Sequence, residues 1–230
     1  MLIFNFNKLI KCVVFIAFYS ISCLAFAGSY EDFFKAAQFD DSRTISSLLA
    51  RGFDPNTFNL NAEPALLYAL NENSFKAFEV LAKHPKTNLN VQNKHGESAL
   101  MLASLRGNLP MIKLLIRRDA DVNHPGWTAL HYASSGGHTE IIQLLLDKSA
   151  YIDAESPNGT TPLMMAARYG NSKSVQLLIE EGADVQHKNQ LGFSALDFAK
   201  QGNRPDSLAL LEAAITQLIK DKSSVPSVKP

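Results

Sequence analysis

Six histidines are the side chains of this 230-residue chain best suited to do chemistry, and two of them share one stretch, "WTALHYASSGGHTE", residues 127–140. Imidazole is a common metal ligand and a proton shuttle near neutral pH. His131 and His138 could pair on a metal ion, or either could serve Ser134 or Ser135 as a general base. Both chemistries demand positioning. A metal pair must lie on one helical face, and Gly137 interrupts any helix between the two rings. A zinc site also needs three or four converging ligands. His84, His95, His124 and His187 are single and fall in different loops. No G-x-S-x-G elbow surrounds the serines, and H-E-x-x-H, Walker and G-x-G-x-x-G patterns are missing from the chain. The sequence therefore predicts no enzyme, no metal and no cofactor, and reads the stretch as architecture.

The elements that hold these residues come next. The chain is 46% apolar and carries 22 basic and 22 acidic residues, which describes soluble globular units rather than a disordered chain. No block of Lys and Arg is present to release counterions from a polyanion, so nucleic acid is not expected as a partner.

The first 27 residues read differently. Lys8 and Lys11 precede an uncharged apolar run from Cys12 to Phe26, and "AFA" ends at Ala27. This is the pattern of a cleavable export signal, 1–27. An uncleaved anchor and lipidation at Cys23 are the competing readings; the short apolar span weighs against the first and the "SIS" flank against the second. Cleavage would leave 20 basic and 22 acidic side chains, a formal charge of −2, and would remove Cys12 and Cys23, the only cysteines. A periplasmic or secreted protein without disulfides must be held together by its core.

Self-similarity organises the remainder. "SALMLA" (98–103), "TALHYA" (128–133), "TPLMMA" (161–166) and "SALDFA" (194–199) begin 30, 33 and 33 residues apart. Twelve residues after each closing alanine stands a leucine: Leu115, Leu145, Leu178 and Leu211. Pro64–Ala69 with Leu81, and Glu31–Ala36 with Leu48, continue the frame upstream.

"TPLMMAARYGNSKSVQLLIEEGADV" and "TALHYASSGGHTEIIQLLL" resemble ankyrin repeats, matching the T-P-L-H-x-A and G-A-D-V signatures. The resemblance spans nearly all of 28–220 in six units, at about 31–63, 64–97, 98–127, 128–160, 161–193 and 194–220. It is weaker in the first two units, the second of which has an extra residue near Pro85. It implies an all-α fold, an ankyrin-repeat solenoid of helix-turn-helix units with short projecting hairpin loops, used to bind other proteins. Small exported ankyrin chains of this kind are most familiar in Gram-negative bacteria, and the sequence looks like that group. Residues 221–230 are expected to be a disordered tail.

The physics of one unit agrees. Thr161 can cap the first helix and Pro162 occupies a position where a missing N–H costs nothing. Gly170 is expected to end that helix in the left-handed conformation, as are Gly107 and Gly137. One unit earlier, the resemblance makes His131 the family's T-A-L-H histidine, which implies hydrogen bonds to the Thr128 of the turn and to loop backbone, and Gly137-His138 is expected to mark the break before the second helix. One helix pair cannot bury its own apolar face; stacked pairs share a continuous core.

Binding must then use what the repeat leaves free. In the architecture the resemblance implies, hairpin tips and helix faces form a concave surface. By repeat position the tips are expected at Lys94, His95 and Glu97, then Trp127, then Pro157, Asn158 and Thr160, then Gln190, Leu191 and Phe193, and the helix faces add Arg106, Ser135, Arg168 and Tyr169. Trp127 is the only tryptophan. It either contacts a partner or packs over a hairpin shortened by three residues, where "NHPG" (123–126) is expected to make a tight turn and leave a notch. The expected function is that of an exported, monomeric scaffold for an unknown protein partner, with no membrane span once the signal is removed. The alternatives are a toxin-neutralising inhibitor or, further off, a metal-binding protein or hydrolase.

Overall fold

The computed structural model describes residues 28–224; the expected export signal, 1–27, and the end of the expected tail, 225–230, lie outside the described residues. Twelve helices and no strands occur among them, the all-α class of paired helices expected from the repeat. They form two compact units that divide after Thr87, beside the irregular stretch near Pro85, where one domain over 28–220 was expected.

The first unit holds α1 (28–38), α2 (Ser42–Ala50), α3 (Ala65–Asn71) and α4 (Phe75–Lys83). Phe33 and Ala37 of α1 are fully buried, with Phe33 stacked 4.4 Å from Phe53 and Phe34 edge-on to Tyr68 at 5.7 Å. The second unit holds α5 (Ala99–Leu105), α6 (Leu109–Arg117), α7 (Ala129–Gly136), α8 (Thr139–Asp147), α9 (Pro162–Arg168), α10 (Ser172–Glu180), α11 (Ala195–Gln201) and α12 (Pro205–Ser224). Its inner helices α5, α7, α9 and α11 pack in succession, and α12 closes the end against α10 and α11. Helix α12 runs to Ser224, past the point where the tail was expected to begin.

The repeated residues build this frame. The column Leu48, Leu81, Leu115, Leu145, Leu178 and Leu211 is at most 5% exposed throughout. Ala103, Ala133, Ala166 and Ala199 are fully buried, and their small side chains let each inner helix approach the next. Ser98, Thr128, Thr161 and Ser194 each accept a hydrogen bond from the backbone N–H three residues on.

Gly107 and Gly137 take the expected left-handed conformation, each with φ of 72°. Gly170 does not, which corrects the expectation. Its role is close approach: a Cβ there would sit 2.4 Å from the carbonyl oxygen of Ser134 on the neighbouring inner helix. Gly202 stands in the same relation to the carbonyl of Arg168, at 2.5 Å.

Side chains at the break between paired helices tie repeat to repeat. His138 Nε2 donates to the carbonyl of Leu105 (2.9 Å), Asn171 Nδ2 to that of Gly137 (2.9 Å) and Arg204 Nε to that of Arg168 (3.2 Å). In the first unit Ser74 Oγ donates to the carbonyl of Gln38 in the same way (3.0 Å). The end of a helix leaves carbonyls without intrahelical partners, and this ladder supplies them from the next repeat.

Candidate protein-binding site

His131 shows how the frame uses a residue that could do chemistry. It is fully buried. Its Nδ1 accepts from the N–H of Thr128 (3.1 Å) and lies 2.9 Å from the Thr128 hydroxyl, while Nε2 faces the carbonyl of Thr160 at 2.9 Å. These partners fix the neutral tautomer protonated on Nε2. Burial pulls the pKa down to about 4, against smaller opposing effects of the Thr160 and Ala154 carbonyls. A second proton on Nδ1 would also point at the Thr128 N–H. His131 is a brace between repeats, in the role expected from the sequence.

The hairpins are built by a second local rule. Asn93 and Asn189 each accept, through Oδ1, the backbone N–H groups two and four residues on: His95 and Glu97 in one hairpin, Leu191 and Phe193 in the other. Ser156 with Asn158 does the same for the intervening hairpin, receiving the N–H of Thr160 at 3.0 Å on Ser156 Oγ. The shortened hairpin at 123–126 has no such turn. Residues 122–127 bend without a backbone hydrogen bond across them, in place of the expected tight turn. Asn123 anchors the bend instead, donating to the carbonyl of Ser149 and accepting from the N–H of Tyr151.

Next to that bend lies an open cleft of about 280 Å³ in the second unit. Trp127 stands on one side, half-buried and edge-on to His131 at 5.2 Å between ring centres. Leu191 and Phe193, 71% and 40% exposed, line the cleft from the hairpin 189–193. Arg168 and Tyr169 enter from the end of α9, and Asn158 from its hairpin. The Arg168 guanidinium lies 5.1 Å from the centre of the Tyr169 ring and 6.0 Å from that of Phe198, and its Nη1 donates to Gln201 Oε1 at 2.9 Å.

The structure therefore gathers Trp127, Asn158, Arg168, Tyr169, Leu191 and Phe193 at one place. Thr160, expected at a tip, is 2% exposed: its N–H is spent on the turn and its carbonyl on His131, so it belongs to the wall. Lys94, His95 and Glu97 occupy a separate hairpin, where Glu97 accepts from the Tyr132 hydroxyl at 3.0 Å. That carboxylate and burial together push the Tyr132 hydroxyl well above its usual pKa, burial being the larger cause. Arg106, Ser135, Pro157 and Gln190 lie outside the cleft; Gln190 instead bonds Pro157 and Asn158 backbone, stitching two hairpins together. Met165, Asn189, Phe198 and Gln201 complete the lining and were missed in the sequence. The signal for three of them was periodicity: Met165 and Phe198 share one frame position, and Arg168 and Gln201 another, each pair 33 residues apart.

Among the described residues no three His, Cys, Asp or Glu side chains converge as a metal site. The lining offers aromatic and aliphatic surface, amides and one guanidinium, and such a surface recognises other molecules by contact, charge and hydrogen bonding.

Comparison with known proteins agrees with this architecture. The family described as ankyrin repeats, three copies, matches residues 33–125, 85–156, 123–189 and 152–221. The mouse ankyrin repeat and SAM domain-containing protein 6 is 35% identical over 111 residues, covering 46% of this chain and 13% of that protein. The zebrafish Notch-regulated ankyrin repeat-containing protein A is 40% identical over 67 residues, covering 28% of this chain and 60% of its own length. The chain thus spans less than two thirds of these curated relatives. The crystal structure of the human ASB11 ankyrin repeat domain superposes with a TM-score of 0.69 at 25% identity, over 79% of this chain and 82% of that one. The chain belongs to the ankyrin-repeat family.

Proposed function

We propose that this protein is an exported, monomeric scaffold that binds another protein through the cleft beside Trp127 and the hairpin and inner-helix surface around it. Ankyrin repeats generally mediate protein–protein interaction, and proteins of the family are typically binding scaffolds rather than enzymes. One observation carries the reading for this chain. Trp127, Tyr169, Leu191 and Phe193 converge with Arg168 around one cleft, while the frame beneath them is buried and hydrogen-bonded. Aromatic residues and arginine on a pre-organised surface are the side chains that dominate interface energetics. Export to the periplasm or beyond rests on the composition of residues 1–27 and on the lack of cysteine after Cys23. No helix among the described residues is long and apolar enough to cross a membrane.

Crosslinking in the native compartment, followed by identification of the captured protein, tests the reading. Trp127→Ala should lower the yield roughly tenfold or more, with the unfolding midpoint little changed. Undiminished capture by a folded Trp127→Ala protein, with the same result for Phe193→Ser, would reject the cleft as the binding surface.

A further inference from the structure

The cleft is asymmetric in charge, and that asymmetry narrows the partner. Arg168 is the one ionised side chain in its lining; the other polar groups are the amides of Asn158, Asn189 and Gln201, the hydroxyls of Thr160 and Tyr169 and the Trp127 indole N–H. The guanidinium sits between the rings of Tyr169 and Phe198 and is oriented by the neutral Gln201 amide, not by a carboxylate. None of the ion pairs formed among the described residues includes it. Asp197, next in sequence to Phe198, is committed elsewhere: its carboxylate accepts from the N–H and hydroxyl of Ser194, bonds that hold its pKa below the usual carboxylate value. An arginine placed over aromatic rings, with no ion-pair partner among the described residues, is pre-organised for an anion, and its planar fork matches a carboxylate. The opposite side of the cleft is apolar, formed by Trp127, Leu191 and Phe193. A volume of about 280 Å³ lies at the small end of the range for ligand sites and holds one or two side chains rather than a cofactor.

We infer that the cleft takes an extended segment of the partner protein in which an aromatic or large aliphatic side chain stands next to an Asp or Glu. The apolar side chain packs against Trp127, Leu191 and Phe193, and the carboxylate pairs with Arg168. This inference rests on the proposed binding function and specifies the chemistry of what is bound.

The full chain can be panned with a random displayed heptapeptide library, and the selected peptides measured by the fluorescence of Trp127, the only tryptophan. Selected sequences should be enriched in an acidic residue within two positions of an aromatic or aliphatic one. Replacing that acid by its amide should weaken binding roughly tenfold, and Arg168→Gln should abolish the difference between acid and amide. A phosphoserine replacement that binds more tightly than Asp or Glu would identify a phosphopeptide site and overturn the carboxylate assignment. Peptides that bind at Trp127 without acidic enrichment, or equally well to Arg168→Gln, would overturn the inference while leaving the cleft a protein-binding site. No binder at Trp127, with capture of the native partner undiminished in Trp127→Ala, would bring down both.

Discussion

His131 has the atoms for catalysis and none of the access. Its buried, neutral ring makes a specific demand on pH. The unfolded side chain titrates near 6.5 and the folded one near 4, so the unfolded state alone binds the proton between those values. The stability this histidine withholds from the protonated form is intact above pH 6.5 and is lost as pH falls towards 4, on the order of 3 kcal/mol in all. Urea unfolding from pH 7 to 4 should show that slope, and His131→Gln, although less stable at neutral pH, should lose about 3 kcal/mol less across the window. Equal slopes would show that burial does not hold the ring neutral. Asp41 and Asp197, held below 3.8 mainly by cap hydrogen bonds, contribute chiefly at the acid end of this window and beneath it. The role of His131 was legible through the resemblance of "TALH" to the repeat motif, in which the threonine partner lies three residues away. Thr160 was not, because what buries it is a hydrogen bond to a side chain 29 residues earlier.

Elements are fixed by a few repeated residues, and the two kinds of glycine separate what sequence reveals from what packing decides. Gly182 has a φ of 94° and open space around its Cα, whereas Gly170 has an ordinary φ and the Ser134 carbonyl in the way. An alanine at 182 should cost about 1 kcal/mol of backbone strain. An alanine at 170 must push two inner helices apart and should cost about 3 kcal/mol, in the upper range for overpacked sites. Thermal unfolding of the two variants would check the order; a Gly170→Ala protein as stable as Gly182→Ala would contradict the close-approach assignment. Helix positions, caps and the leucine column follow from the repeat, because each depends on neighbours within one unit. The cleft lining was legible only in part. Trp127 and Phe193 stood out as unusual residues in the frame, while Met165 and Phe198 read as ordinary helix residues until adjacent repeats brought them to the same wall.

At the scale of the molecule, the shared residues maintain the packing within each unit, and in the proposed function the odd ones meet a partner. Near-zero net charge fits recognition through one local cleft better than a long-range field. If residues 1–27 direct export, intact-mass measurement of protein recovered from the periplasm or medium should begin at Gly28. A mass retaining Met1, or a lipid on Cys23, would replace the cleavage proposal with anchoring. The central claim, that the second unit binds a protein at the Trp127 cleft, is tested most directly by a photoreactive phenylalanine analogue at Phe193, compared with the same group at the exposed Lys173 of α10. The account predicts one discrete adduct from position 193 and none from position 173; an adduct from 173 alone would contradict it.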